Sequence, residues 1–180
     1  MKVGNDFMQE EIKILSQGAF YMTPFCDYHI KEFLNVIHHE TLIELYNLGY
    51  ESITEALQNV VDTSEAYIVK DKRGVILLVC GLVHDDETPQ MFALFTNNLK
   101  NNYKGLVRSS KSLVNFFEQM HPMLTMTISA KYGDMLQWAV WLGFKAVGIS
   151  EHKNITYVEF VRCNSVKNYV SHETSRPVMH

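Results

Sequence analysis

Cys-x-x-Cys pairs are missing from this chain, as is any apolar run near the roughly 20 residues a membrane helix needs. The first absence removes support for zinc-ribbon and dithiol redox motifs. The second leaves no segment to read as a membrane span. Basic residues do not dominate either: 16 Lys and Arg stand against 20 Asp and Glu, a net charge of -4. A broad nucleic-acid face is therefore not indicated. Cysteine is scarce, and its count of three is odd. Cys80 in "VILLVCG" and Cys163 in "YVEFVRC" sit in apolar strand-like runs, so these thiols are expected to be reduced and buried. The start "MKVGNDFMQEEIK" carries acids early and lacks an apolar core. It reads as neither a signal nor a transit peptide, and synthesis in a reducing cytosol is expected. No Gly-x-Ser-x-Gly or other nucleophile motif occurs.

What is present is a 180-residue chain, 47% hydrophobic and 20% charged, long enough for one domain with a real core. The expected division is an extension over 1–18, a domain over 19–163 and a tail over 164–180. A short helix is expected around Met8 to Leu15. "AFYMTPF" has the aromatic bias of a strand. From Asp27, Ile30, Phe33, Leu34, Ile37, Leu42 and Leu45 keep near-helical spacing up to a terminator at Gly49, predicting one long helix. Ser52 and Glu55 form a capping box for a shorter one. "EAYIVKDKRGVILLVCGLV" reads as a hairpin turning at Asp71 to Gly74. The strand "QMFALFT" leads through an Asn-rich turn into a helix from about Gly105 to His121. Its apolar face is Leu106, Ser110, Leu113, Val114, Phe117 and Met120. The strand "MLTMTISA" follows, then a helix burying Met135, Trp138, Ala139 and Leu142, then "KAVGIS" and "ITYVEFVRC". The strands flanking the long helix should be parallel, through a right-handed crossover. The fold class expected is α/β (α+β): a mixed, mostly antiparallel sheet with one central parallel pair and helices on both faces.

This element order, with "LGFKAVG" and the closing strand "YVEFVR", resembles the GNAT N-acetyltransferases over Ala19 to Arg162. The resemblance implies that Gly143 lets the chain turn sharply out of its helix while Phe144 enters the core. It also implies an acetyl-CoA pyrophosphate loop, Gln/Arg-x-x-Gly-x-Gly/Ala, at the start of the long helix, where backbone N–H groups meet phosphate. The overlay falls on Asn102, Tyr103, Lys104, Gly105, Leu106 and Val107. Only one glycine matches. Asn102 replaces the usual first residue, and the branched Val107 takes the place of a small one. Lys100, Lys104 and Arg108 offer compensating charge. The tyrosine that many family members place four residues before the Gly of the Gly-Phe pair, as general acid for the CoA thiolate, is here Ala139, which cannot donate a proton. Tyr132 and Tyr103 are the phenols left to replace it. Base candidates are His84, Asp85, Asp86 and Glu87, after the third strand. His38, His39 and Glu40 point to different sides of a helix, so they are read as a solvated face, and no metal set is expected.

The stretch from His38 to Val69, the loop "FTNNLKNNYKGLVRSSKSLVNFF" and the Gly-Phe handover are also similar in layout to GNAT-like proteins of short-tailed bacteriophages, including their internal virion protein. That likeness implies an eroded cofactor site, with no cofactor or with acetyl-CoA if transfer survives. It implies phage structural or host proteins as partners, no membrane and no nucleic acid, in the cytoplasm of an infected bacterium or the virion interior.

Overall fold

The computed structural model describes residues 20–84 and 88–163. The expected helix at Met8 to Leu15, the tail over 164–180 and the loop acids Asp85, Asp86 and Glu87 lie outside them. The elements run β1 (Phe20–Pro24), α1 (Asp27–Leu34), α2 (His39–Asn47), α3 (Ile53–Thr63), β2 (Ser64–Asp71), β3 (Ile76–Val83), β4 (Gln90–Phe95), α4 (Tyr103–Met120), β5 (Met123–Ser129), α5 (Gly133–Trp141), β6 (Lys145–His152) and β7 (Ile155–Cys163). A 3₁₀ turn, Asn97–Asn101, joins β4 to α4.

Among the described residues, seven strands form one sheet in the order β1-β2-β3-β4-β5-β7-β6. Neighbours are antiparallel except β4 and β5, which run parallel as their crossover helix requires. One core lies under α1, α2 and α3 and includes Phe33, Leu45, Leu57, Ile68 and Val79. The other lies under α4 and α5 and includes Val114, Phe117, Leu124, Ala139 and Phe144. β3 is sandwiched between the two, which is why "ILLVCGLV" is apolar without alternation.

The long helix expected from Asp27 is two helices. Ile37 leaves the helical path to bridge Thr96, and the His38 ring caps α2, its Nδ1 accepting the Glu40 N–H at 3.3 Å. Apolar spacing persists across this break because both helices pack on the same sheet face. Met120 is exposed rather than buried, and Glu118 takes an inward place on α4 instead. Among the thiols, Cys80 is buried, and burial pushes it up to about 12. Cys163, expected to be buried, is exposed at the end of the last strand.

The Gly-Phe handover has a local cause. Gly143 sits at φ 90°, a left-handed conformation that closes α5, and its N–H reaches the Val140 carbonyl at 2.9 Å. Arg162 on β7 donates to the Leu142 carbonyl there. The same guanidinium grips both oxygens of Glu118 on α4, at 2.6 and 2.8 Å. One side chain thus ties the last strand to the ends of two helices.

Candidate functional site

β4 and β5 share one register pair, Gln90↔Thr125. The Thr125 N–H reaches the Pro89 carbonyl at 3.1 Å, and Gln90 Nε2 reaches Thr127 Oγ1 at 3.0 Å. Beyond that point the strands diverge into a V, open toward Phe95 and Ser129. Strand alternation decides which backbone groups line it. Pro89 presents its carbonyl to β5, whereas the Thr96 N–H turns to Leu77 of β3 at 3.1 Å. Met91, Ala93 and Phe95 therefore present their backbone groups to the gap.

The outermost of these positions is occupied from within the chain. The Phe95 N–H donates to Thr41 Oγ1 at 3.2 Å, and the Phe95 carbonyl accepts from the His38 N–H at 2.9 Å and from Thr41 Oγ1 at 3.3 Å. Thr41 is almost completely buried. The next residues are tied down as well: the Asn97 N–H reaches the Val36 carbonyl at 2.8 Å. The α1–α2 connection thus acts as a short extra strand beside the outer end of β4.

Across the mouth, Tyr132 follows β5 and begins α5. Its hydroxyl donates to Glu40 Oε2 on α2 at 2.7 Å, with Lys131 Nζ 3.5 Å from the same oxygen. Burial, then the bond to Glu40, then the nearby charges of Glu44 and Glu40 raise the phenol above its ordinary range. Burial raises Glu44, whereas the Tyr132 hydrogen bond chiefly lowers Glu40. α2 therefore reaches both arms of the V, through Thr41 to β4 and through Glu40 to the end of β5. At its far end the Asn47 carbonyl accepts from Lys153 Nζ, on the β6–β7 turn, at 2.8 Å.

The predicted phosphate loop, Asn102 to Val107, is the N-cap and the first five residues of α4, just after the 3₁₀ turn. Asn102 is the N-cap residue but makes no side-chain cap; its amide donates to the Asn98 carbonyl at 3.4 Å. The first N–H groups of α4 thus face a cleft of about 460 Å³ without a capping side chain. Lys100 and Lys104 line that cleft with Phe20 and Gly105. Gly105 packs on its neighbour: a Cβ there would lie 2.7 Å from the Phe20 ring. Leu106 points into the core, Val107 is half-buried, and Arg108 is exposed. Ala139 is completely buried, and its carbonyl accepts the Phe144 N–H at 3.1 Å.

His84 follows the end of β3 that pairs with Gln90 through Val83. It lies at the closed end of the V, whereas Tyr132 lies at the open end. These predicted catalytic residues are not brought together. The site residues that sequence reasoning missed are Thr41 and Glu44, together with the cap made by His38 and the Tyr132 bond of the part-exposed Glu40. The signal was the uneven gap from Ile37 to Leu42, which breaks helical spacing where the cap stands.

No family model matches the chain, and no curated protein matches it in sequence. Solved structures do match. A GNAT-family acetyltransferase from Bacillus anthracis superposes with a TM-score of 0.62 at 10% identity, over 81% of this chain and 95% of its own. The spermidine N-acetyltransferase of Vibrio cholerae, solved with CoA and spermine, gives a TM-score of 0.62 at 10% identity with the same coverage of each chain. The architecture is that of the GNAT fold. Within it, the start of α4 stands where the resemblance implies a pyrophosphate loop. Identity this low carries the fold and nothing finer.

Proposed function

We propose that this chain is a GNAT-fold protein that acts by binding other proteins rather than by transferring acetyl groups, in or beside a bacteriophage particle. The observation that carries the reading is the bonding of Phe95. A pantetheine arm pairs its amides with an exposed strand edge, and here Thr41 and His38 already satisfy the outermost position of that edge. An arm that pairs with Phe95 must displace a buried threonine and the first turn of α2. The buried Ala139 supports the same reading, because no phenol stands at that position to protonate a departing thiolate. The phage setting rests on the similarity in layout to the short-tailed phage proteins.

Calorimetry with acetyl-CoA on the full chain tests the first part. Binding far weaker than low micromolar is the expected result. Low-micromolar binding, abolished by Gly105→Val and weakened by Lys104→Gln or Arg108→Gln, would replace it with an N-acetyltransferase reading. The uncapped start of α4, flanked by Lys100 and Lys104, favours that second reading. In it, acetyl-CoA is the cofactor, and Tyr132 is the phenol nearest the mouth. Mass spectrometry of purified particles tests the setting. Absence from the particle, with normal infectivity after deletion, would point instead to a host protein as partner.

A further inference from the structure

We propose that Glu65, His84 and His121 bind a zinc ion at the closed end of the sheet. Three elements bring them together: Glu65 stands near the start of β2, His84 follows β3, and His121 is the C-cap of α4. Their ligand atoms all lie within 4.8 Å of one another. Glu65 Oε2 is 3.5 Å from His84 Nε2 and 3.6 Å from His121 Nε2. The two rings are 5.2 Å apart, inclined by 50°.

These separations decide between an ion pair and a metal site. A charge-assisted N–H···O bond closes to about 2.7–2.9 Å. Both contacts to Glu65 are longer than that. Zinc held at about 2.0–2.1 Å in tetrahedral geometry places its ligand atoms about 3.4 Å apart. The two separations from Glu65 fit that edge closely, and the third pair of ligand atoms lies within 4.8 Å. An orphan supports it: His121 Nε2 is buried and has no hydrogen-bond partner, a costly arrangement for a ring nitrogen unless a cation takes it up. Two imidazoles with one carboxylate are borderline-soft ligands. They favour zinc over magnesium or calcium, which take oxygen. The side chains of Glu65 and His84 are 42% and 37% exposed, so water reaches the fourth position. Bound there, the ion joins the end of α4 to the ends of β2 and β3.

The test uses the full chain, stripped with a chelator and titrated with Zn²⁺ by calorimetry and with Co²⁺ by visible absorption. One equivalent of zinc should bind and raise the melting temperature, and cobalt should show the intense bands of a tetrahedral site. Removing a mere outer partner costs about 10–100-fold in metal affinity, so His84→Ala or His121→Ala should cost at least as much. Glu65→Gln keeps the shape and should also weaken binding. A parent without tetrahedral cobalt bands would overturn the proposal. So would a folded His84→Ala/His121→Ala double variant that binds Zn²⁺ as the parent does.

Discussion

At its closed end the β4–β5 junction is held by the strands themselves, with Thr125 bonded to Pro89 through both its N–H and its hydroxyl. At the open end β5 makes no pair with β4, and α2 completes the strand edge through His38 and Thr41. The closed end is also where the charged clamp of Arg162 and Glu118 sits, since Arg162 pairs in register with Leu124. The difference follows from a general requirement. Buried backbone N–H and C=O groups must find partners, and a parallel pair that splays leaves several without one. In a cofactor-binding GNAT protein the ligand can answer that need. Here the α1–α2 connection answers part of it, at the Phe95 end of β4.

If the closed end is the rigid half, the largest loss should come from breaking it. Arg162→Met removes one partner of an ion pair in which the Glu118 side chain is 8% exposed, and leaves the Leu142 carbonyl without its donor. Stranding a buried charge costs about 3–5 kcal/mol. Urea denaturation should show a loss of that size, with partial recovery in the double variant Arg162→Met/Glu118→Met. A loss under about 1 kcal/mol would place this pair among solvent-exposed bridges of small worth.

A smaller effect is expected at the open end. Thr41→Val preserves shape but removes the hydroxyl that serves both the N–H and the carbonyl of Phe95. The carbonyl keeps the His38 N–H, so the stranded group is the Phe95 N–H. Leaving it unsatisfied costs about 1–3 kcal/mol. Amide exchange at Phe95 should accelerate in the variant while exchange at Thr125 stays unchanged. Equal acceleration at both would mean that the two ends unfold as one unit, and the contrast between them would be lost.

The same contrast shows what could be read from residue order. Most strands and both helix faces follow from apolar patterning, because burial imposes it directly, and the parallel pair follows from the crossover helix between its strands. Gly143 was legible as a helix stop. Its neighbour Arg162 was not, since an arginine near the end of an apolar strand gives no sign of which helix ends it meets. The occupied edge at Phe95 was hidden for a related reason. Thr41 and Phe95 are 54 residues apart, and a threonine one turn into a helix resembles any other. The start of the long helix near Gly105 was legible. That its glycine faces the Phe20 ring depends on packing between β1 and α4, which spacing along the chain does not encode.

The smallest effect concerns pH at the open end. Tyr132 holds its proton above the ordinary phenol range, because burial comes first and the Glu40 and Glu44 carboxylates add to it. A raised folded value means that the unfolded chain loses this proton first. The associated stability is fully present below the usual phenol value near 10 and is lost as pH rises beyond it. Tyr132→Phe removes that dependence. Its denaturation midpoint should fall less steeply with alkaline pH than the parent's, and the last phenol to ionise in an ultraviolet titration of the parent should be missing from the variant. Glu44 has the same sign in a lower window: burial raises its carboxyl, so its contribution is present in acid and is lost as pH rises through its folded value. The two groups therefore titrate in separate windows, and an alkaline slope that survives Tyr132→Phe would assign the effect to a phenol away from α2.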